Sequence, residues 1–466
     1  MTWQPSMAAK SRNQRGKPPM SNRRFAIVAT AAVLALGFSL GSAQAQAPSG
    51  KVTVVTSFSK DVTDPFKKAF ETAVPGVTLE VQNRNTNAGV RFVQETRANN
   101  QVDLFWASAP DAFEVLKRAG LLQAHKPNAP GIPAKLGPYN INDPDGMFFG
   151  FAASGYGIMW NERYTRANRL PDPKEWSDLG KAVYFDHAMI TTPSRSGTSH
   201  LTVETILQGE GWEKGWATLK AMSGNMRAIT DRSFGVPDAV NSGQVGLGVV
   251  IDFFAFSARA ANFPVRFVYP TVSTVVPANV GIIANAPNQA AARAFVDFLL
   301  SDAGQELLLT PAISRLPVNP AIYAKAPEGY PNPFTGAIGL PGFEFNVGVS
   351  ERRYAVVDVL FDQLITFNLE PLKAVTKAIH DVEARLARRD NPAARARLAE
   401  ARALISAMPV TAEQAVSEEI RASFQASTPQ AKAPRQAELE QQWSSFAKEK
   451  YAAAMAKTAE AARLAP

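Results

Sequence analysis

Lys51–Ser57 reads KVTVVTS, Asp61–Thr72 reads DVTDPFKKAFET, and Val77–Val81 reads VTLEV. The first and last segments are short, β-branched and bounded by turn residues, and they predict buried strands. The middle segment sets Val62, Phe66, Ala69 and Phe70 on one helical face. A strand, a crossing helix and a second strand form a unit whose strands run parallel, because a hairpin has no room for the helix. The alternation continues. Asn85–Ala98 predicts a second helix, opened by Asn85-Thr86-Asn87, and Asp103–Ala107 (DLFWA) a third strand. A third helix opens at Ser108 or Asp111 and stops at Gly120. The fold class is α/β, built on a mostly parallel sheet.

Phe148–Trp160 (FFGFAASGYGIMW) breaks the rhythm. Two apolar runs flank Ser154-Gly155, which predicts a strand pair crossing between two lobes. A second α/β block follows. It has strands at Ala188–Thr192, Val245–Ile251 and Val265–Tyr269, and helices at Ser196–Gln208, Glu213–Met222, Val236–Ser242 and Phe253–Ala261. The chain then returns to the first block through a strand at Val280–Ala284 and helices at Asn288–Leu300 and Ala303–Leu309. From 351 onward strand patterns stop. Arg352–Phe367, Leu372–Arg389, Pro392–Ala407 and Gln436–Leu464 have helical period, and Ser427–Pro434 reads as a loop. The expected division is 1–45, 46–153 (first lobe), 154–269 (second lobe), 270–350 (return to the first lobe) and 351–466 (all-helical extension).

The chain has 466 residues, 46% of them apolar and 19% charged, which is globular composition. Its net charge is +8. Six basic and no acidic residues lie in 1–45, and 46–350 holds 26 of each sign. The body is therefore neutral, which argues against nucleic acid as a partner. The basic segment has another reading. Asn22-Arg23-Arg24 precedes the apolar run Phe25–Leu40, and Ala43-Gln44-Ala45 supplies a small-x-small site. These are the three parts of a secretory signal. The expectation is export to the periplasm with cleavage after Ala45, the start being Met1 or Met20. There is no cysteine, so disulfides, thiolate metal sites and thiol nucleophiles are excluded. His125, His187, His200 and His380 share no zinc-ligand spacing. No cofactor motif is present: GxxxxGK[ST], GxSxG and the dinucleotide fingerprint are all missing.

The clearest chemical feature is Thr191–His200, TTPSRSGTSH, where a strand gives way to a helix. A helix start carries unpaired N–H groups and about half a positive charge. The hydroxyls of Ser196, Thr198 and Ser199, with Gly197 allowing close approach, suit phosphate, phosphonate, sulfate or carboxylate. An ordinary Ser N-cap is the competing reading. Thr56-Ser57, Thr86 and Ser108 sit at comparable strand ends or helix starts. Such positions converge on one cleft in open α/β sheets, though each alone reads as a cap. Asp252 ends a strand and faces either a ligand hydroxyl or amine, or its own helix. His200 reads as a surface or packed histidine.

The residues further resemble the family 1 extracellular solute-binding proteins of ABC importers. The branch is the one with ferric-iron, phosphonate, hexose-phosphate and phosphoglycerate binders. The segments that carry the resemblance are Lys51–Ser57, Val102–Ser108 (VDLFWAS), Gly150–Asn161 (GFAASGYGIMWN), Thr192–His200, Val240–Asp252 (VNSGQVGLGVVID) and Phe298–Pro317 (FLLSDAGQELLLTPAISRLP). The resemblance implies a two-lobed periplasmic binding fold of type 2, closing on a small ligand like a hinge and delivering it to an inner-membrane permease. It implies no bond chemistry. Iron binders of this branch carry a Tyr-Tyr pair where this chain has Phe253-Phe254, so an anionic organic solute is favoured, most like the phosphoglycerate-transport type. In that reading Ser196, Gly197, Thr198 and Ser199 hold the phosphate with Thr56 or Ser57 from the other lobe, and Asp252 takes a hydroxyl or amine. The alternatives are a sensor whose helical extension engages a receptor kinase, a ferric-iron or polyamine binder of the same fold, and a hydrolase using Ser196 or Ser199 with His200.

Overall fold

The structure, a computed structural model, describes residues 47–335, 343–424, 433 and 435–465. The secretory-signal reading of 1–45 lies outside the described residues. So does the expected loop at 427–434, Ala433 excepted.

The first α/β block forms as its pattern requires. Strands β1 (Gly50–Thr56), β2 (Val77–Asn83) and β3 (Leu104–Ala107) alternate with helices α1 (Lys60–Ala73), α2 (Thr86–Glu95) and α3 (Pro110–Arg118). β1 pairs with β2 and β3, both parallel. Short strands β4 (Leu122–Gln123), β5 (Lys135–Leu136) and β6 (Tyr139–Asn140) lead to β7 (Phe149–Asn161). Here the expected strand pair is corrected. β7 is one continuous strand of 13 residues, buried along its whole length. Ser154-Gly155 does not break it, because both sides find partners: β12 along Phe149–Gly155 and β10 along Tyr156–Trp160.

The second block runs through helix α4 (Glu162–Ala167), β8 (Ala188–Thr191), α5 (Gly197–Glu210), α6 (Trp212–Ser223), β9 (Met226–Thr230), α7 (Gly235–Asn241), β10 (Leu247–Ile251), α8 (Asp252–Ala260) and β11 (Val265–Val268). Strand β9 has no counterpart in the expectations. It is an edge strand, half-buried beyond Met226, and its MRAIT sequence lacks an apolar run. The chain returns through β12 (Val275–Ile283), α9 (Gln289–Leu300), α10 (Asp302–Leu307) and β13 (Leu316–Pro317). The strand order is β2-β1-β3-β12-β7-β10-β8-β9, with β4 on β12 and β11 and β13 on β7. β7 and β12 thus join two half-sheets. This is the two-lobed binding-protein architecture.

The extension folds into α11 (Val347–Arg352), α12 (Tyr354–Leu364), α13 (Leu369–Leu386), α14 (Pro392–Ser406), α15 (Ala412–Ala415), α16 (Glu418–Ala422) and α17 (Gln436–Leu464). Its first helix begins before the expected Arg352, because Asn346 caps α11 by accepting from the Val349 amide. Each face of the first half-sheet has its own core, Phe66, Phe70 and Phe295 on one side and Val90, Phe105 and Phe113 on the other. In the second half one face is covered by α7 and α8. On the other face, Ile158, Leu201, Ile206 and Trp216 share a single core with Val357, Leu360, Phe361, Trp443 and Tyr451 of the extension. The extension is therefore built into the second lobe.

Candidate functional site

Two clusters form where the halves meet. The inner one centres on Arg315, which lies just before β13 and is 1% exposed. Its Nη1 donates to Ser108 Oγ at 2.9 Å. Its guanidinium lies between two rings, 4.3 Å from the Phe58 centroid and 3.7 Å from that of Phe253. Phe58 follows the end of β1 and Phe253 opens α8, so one cation is clasped by both halves. Among the described residues the bond its guanidinium makes is to a hydroxyl and not to a carboxylate, and its Nε is buried without a hydrogen-bond partner. Burial lowers its pKa to about 9, opposed by Asp252, so the group stays charged at neutral pH. Ser154 Oγ on β7, Asn279 Oδ1 on β12 and Trp106 Nε1 on β3 are likewise buried and unpartnered. A buried unpaired guanidinium is costly unless something anionic meets it.

Asp252 is fully buried at the start of α8. Its Oδ2 accepts from the Gly155 amide at 2.7 Å and from Tyr269 Oη at 2.8 Å, and its Oδ1 from the Phe253 amide at 2.7 Å. Burial raises its pKa to about 7 in spite of those three bonds, so much of its charge is lost near neutrality. Thr56 Oγ1 accepts from the Phe58 amide and shapes the turn that carries the ring, while Ser57 is half-buried beside it. Thr56, Ser57, Ser108 and Asp252 thus belong to the neighbourhood of Arg315.

The outer cluster gathers the starts of three helices. Gly197, at the start of α5, faces lobe one so closely that a Cβ there would lie 2.5 Å from Ala109 Cβ and 3.0 Å from Thr86 Cγ2. Only glycine fits that approach. Ser196 is the N-cap of α5, its Oγ accepting from the Ser199 amide at 3.2 Å. Thr198 is half-buried and its carbonyl accepts from Thr202 Oγ1, and Ser199 is buried. The structure therefore brings Thr86 together with Ser196, Gly197, Thr198 and Ser199, in a group separate from the Arg315 group, where the sequence reading had all of them in one cleft.

His200 is packed, one of the two placements expected of it, and sits among partners that the sequence did not bring to it. It is 0% exposed and bonded on both nitrogens, Nδ1 to Asp358 Oδ1 at 2.7 Å and Nε2 to Ser350 Oγ at 3.1 Å. Asp111 Oδ2 lies 3.4 Å from Nε2. The Tyr354 ring stacks on the imidazole at 4.0 Å. Burial works against the imidazolium, but Asp358, Asp111 and Glu204 prevail and raise its pKa to about 9. Glu204 in turn receives Arg353 Nε and Nη2, each at 2.8 Å. The partners of His200 come from the extension and from α3, far away in sequence. The serine bonded to His200 is Ser350, whose hydroxyl donates to Asp111 Oδ2 at 2.8 Å, and not Ser196, whose Oγ is committed to its cap. Among the described residues, no three His, Asp or Glu side chains converge as metal ligands would, and no helix is long and apolar enough to cross a membrane.

Residues 99–337 match the family model described as "Bacterial extracellular solute-binding protein". The phosphoglycerate transport regulatory protein PgtC of Salmonella typhimurium is 33% identical over 384 residues, 81% of this chain and 91% of that protein. Among solved structures, the periplasmic binding protein AfuA from Actinobacillus pleuropneumoniae, with fructose-6-phosphate bound, superposes with a TM-score of 0.60 at 19% identity. The match covers 67% of this chain and 98% of AfuA. Apo ferric ion-binding protein A of Pasteurella haemolytica gives 0.54 at 16% identity, over 67% of this chain and 97% of that one. These likenesses share one fold across different ligands.

Proposed function

The chain belongs to the bacterial extracellular solute-binding protein family, and we propose that it captures a small organophosphate or phosphonate in the periplasm and delivers it to an inner-membrane ABC permease. The observation that carries this reading is Arg315: a charged guanidinium, buried, unpaired and held by Ser108 and two rings. Arginine presents planar donors that match a phosphate or carboxylate edge, and charge-assisted bonds in a closed cleft exceed neutral ones. In this proposal Arg315 and Ser108 meet the anion, with hydroxyls from Thr56 or Ser57. Asp252, near its titration midpoint, meets a hydroxyl or amine elsewhere on the solute. Thr86 and the Ser196, Gly197, Thr198 and Ser199 helix start close over it. Similarity to PgtC favours a phosphoglycerate as the solute. The lobes are assigned to 46–153 with 270–350, and to 154–269, with export by cleavage after Ala45.

The test is a thermal-shift screen with 3-phosphoglycerate, phosphoenolpyruvate, fructose-6-phosphate, 2-aminoethylphosphonate, spermidine and Fe³⁺. A solute at a hundred times its dissociation constant adds about 2.7 kcal/mol. Phosphate-bearing solutes should raise the midpoint, and Arg315→Lys should lose most of that rise. A rise with Fe³⁺ or spermidine alone sinks the proposal. The word "regulatory" in the name of the 33%-identical relative favours a second reading, in which the liganded protein signals to a receptor kinase. Deleting 351–466 would not separate the two readings, because the extension shares the core of lobe two. Surface substitutions on α13, α14 or α17 that abolish induction yet leave uptake intact would.

A further inference from the structure

Helices α11 and α12 touch both lobes through different chemistry. Toward lobe two, Val356, Val357, Leu360, Phe361 and Leu364 are buried in the common core. Toward lobe one the bonds are polar. Asn87 Nδ2 donates to Asp358 Oδ2 at 2.6 Å, and Tyr354 Oη donates to Asn87 Oδ1 at 2.6 Å. Ser350 Oγ donates to Asp111 Oδ2 at 2.8 Å, and Arg118 pairs with Glu351 at 2.6 Å. Asn87 lies in the first turn of α2, and Asp111 and Arg118 lie at the two ends of α3, both helices of lobe one.

An apolar seam cannot part without exposing its area to water, whereas each of these polar groups can exchange its partner for water. The extension is thus fixed to one lobe and reversibly bonded to the other. The same helices also carry carboxylates onto the anion-ready turn. Thr192 Oγ1 donates to Asp362 at 2.6 Å, and Asp358 holds His200. Part of the turn that the sequence offers to an anion is already engaged by the chain's own acids.

We infer that α11 and α12 form a latch: they travel with lobe two and, on closure, bond through Ser350, Glu351, Tyr354 and Asp358 to the start of α2 and to both ends of α3, holding the cleft shut over Arg315. The inference rests on the reading of that cleft as the solute site. The latch enlarges the closed population before any solute arrives. Apparent affinity scales with the fraction of molecules in the competent state, so the latch sets the solute's working range.

The chain has no cysteine, so Glu95→Cys and Lys214→Cys, exposed on the two lobes, admit a spin-label pair that reports cleft width. Double electron–electron resonance on the full chain without solute should give a narrow, short distribution. Asn87→Ala combined with Ser350→Ala should move most molecules to longer distances. The same pair should weaken 3-phosphoglycerate binding roughly tenfold. A distance distribution untouched by the two substitutions overturns the latch, whatever 3-phosphoglycerate does. A distribution that widens while 3-phosphoglycerate never binds supports the latch and counts against the solute reading alone. Should the double variant fail to fold, Tyr354→Phe removes a single hydroxyl from Asn87. It should widen the distribution in the same direction, and no widening overturns the latch.

Discussion

The extension meets lobe two and lobe one along seams of opposite character. Against lobe two it presents Phe361, Leu360, Trp443 and Tyr451. Against lobe one it presents Ser350, Glu351, Tyr354 and Asp358, each to a polar partner. The first seam makes the extension part of the lobe, and the second lets the lobe move. Position in the sequence would not have separated them, because α11 and α12 contribute to both.

The largest expected effect comes from breaking the apolar seam. Phe361→Ala should cost about 3–5 kcal/mol, the range for a fully buried phenylalanine. Urea unfolding followed by tryptophan fluorescence should show lobe two and the extension losing structure together. An extension that melts separately, leaving lobe two intact, would erase the distinction between the seams. Asp358→Ala comes next. It strips His200 of its charged acceptor and Asn87 of its partner. A hydrogen bond to a charged group is worth about 1.5–3 kcal/mol, and the loss should appear in both the unfolding midpoint and the cleft width.

His200→Gln is a smaller change and sharpens the comparison through pH. The pKa of His200 is raised to about 9 in the folded chain, against about 6.5 in an unfolded one. Its contribution is therefore full below about pH 6.5 and is lost as pH rises through about 9. The gap in melting temperature between wild type and His200→Gln should be widest in acid and close along that window. A gap that grows with pH would show that the imidazole sits there neutral. Least of all, Arg118→Lys, which keeps a cation beside the buried Glu351, should change stability by no more than about 1 kcal/mol, since Arg118 is itself 53% exposed. Its effect should vanish in high salt.

Much of this was legible beforehand. The bounds of α17, the βαβ rhythm of β1–β3 and the Ser196 cap follow from local rules of period and capping. The misses in the site have one cause, which is distance along the chain. Ser108 and Arg315 are bonded across 207 positions, and His200 and Asp358 across 158. Arg315 stands near the end of Phe298–Pro317, one of the segments that suggested the family, but nothing local says that this end returns to the cleft. The one available signal was Arg315 as the lone charged residue in the stretch after α10, Leu308–Pro317. Strand β9 was missed for a different reason: an edge strand needs only one apolar face, so its sequence lacks the marker of a buried strand.

Strand β7 has a mechanical consequence. A hinge made of loops bends freely, but here Phe149–Asn161 is a single rod shared by both lobes and clamped along each half by neighbours. Rotation of one lobe against the other must be taken up as twist of that rod, so it behaves as a torsion bar with a restoring couple. Neighbours press directly on its backbone at Gly155 and Gly157, where a Cβ would meet the Tyr269 ring at 2.6 Å in the first case and the Val268 carbonyl in the second. Stiffening the bar at either glycine would change the angle at which the two lobes come to rest.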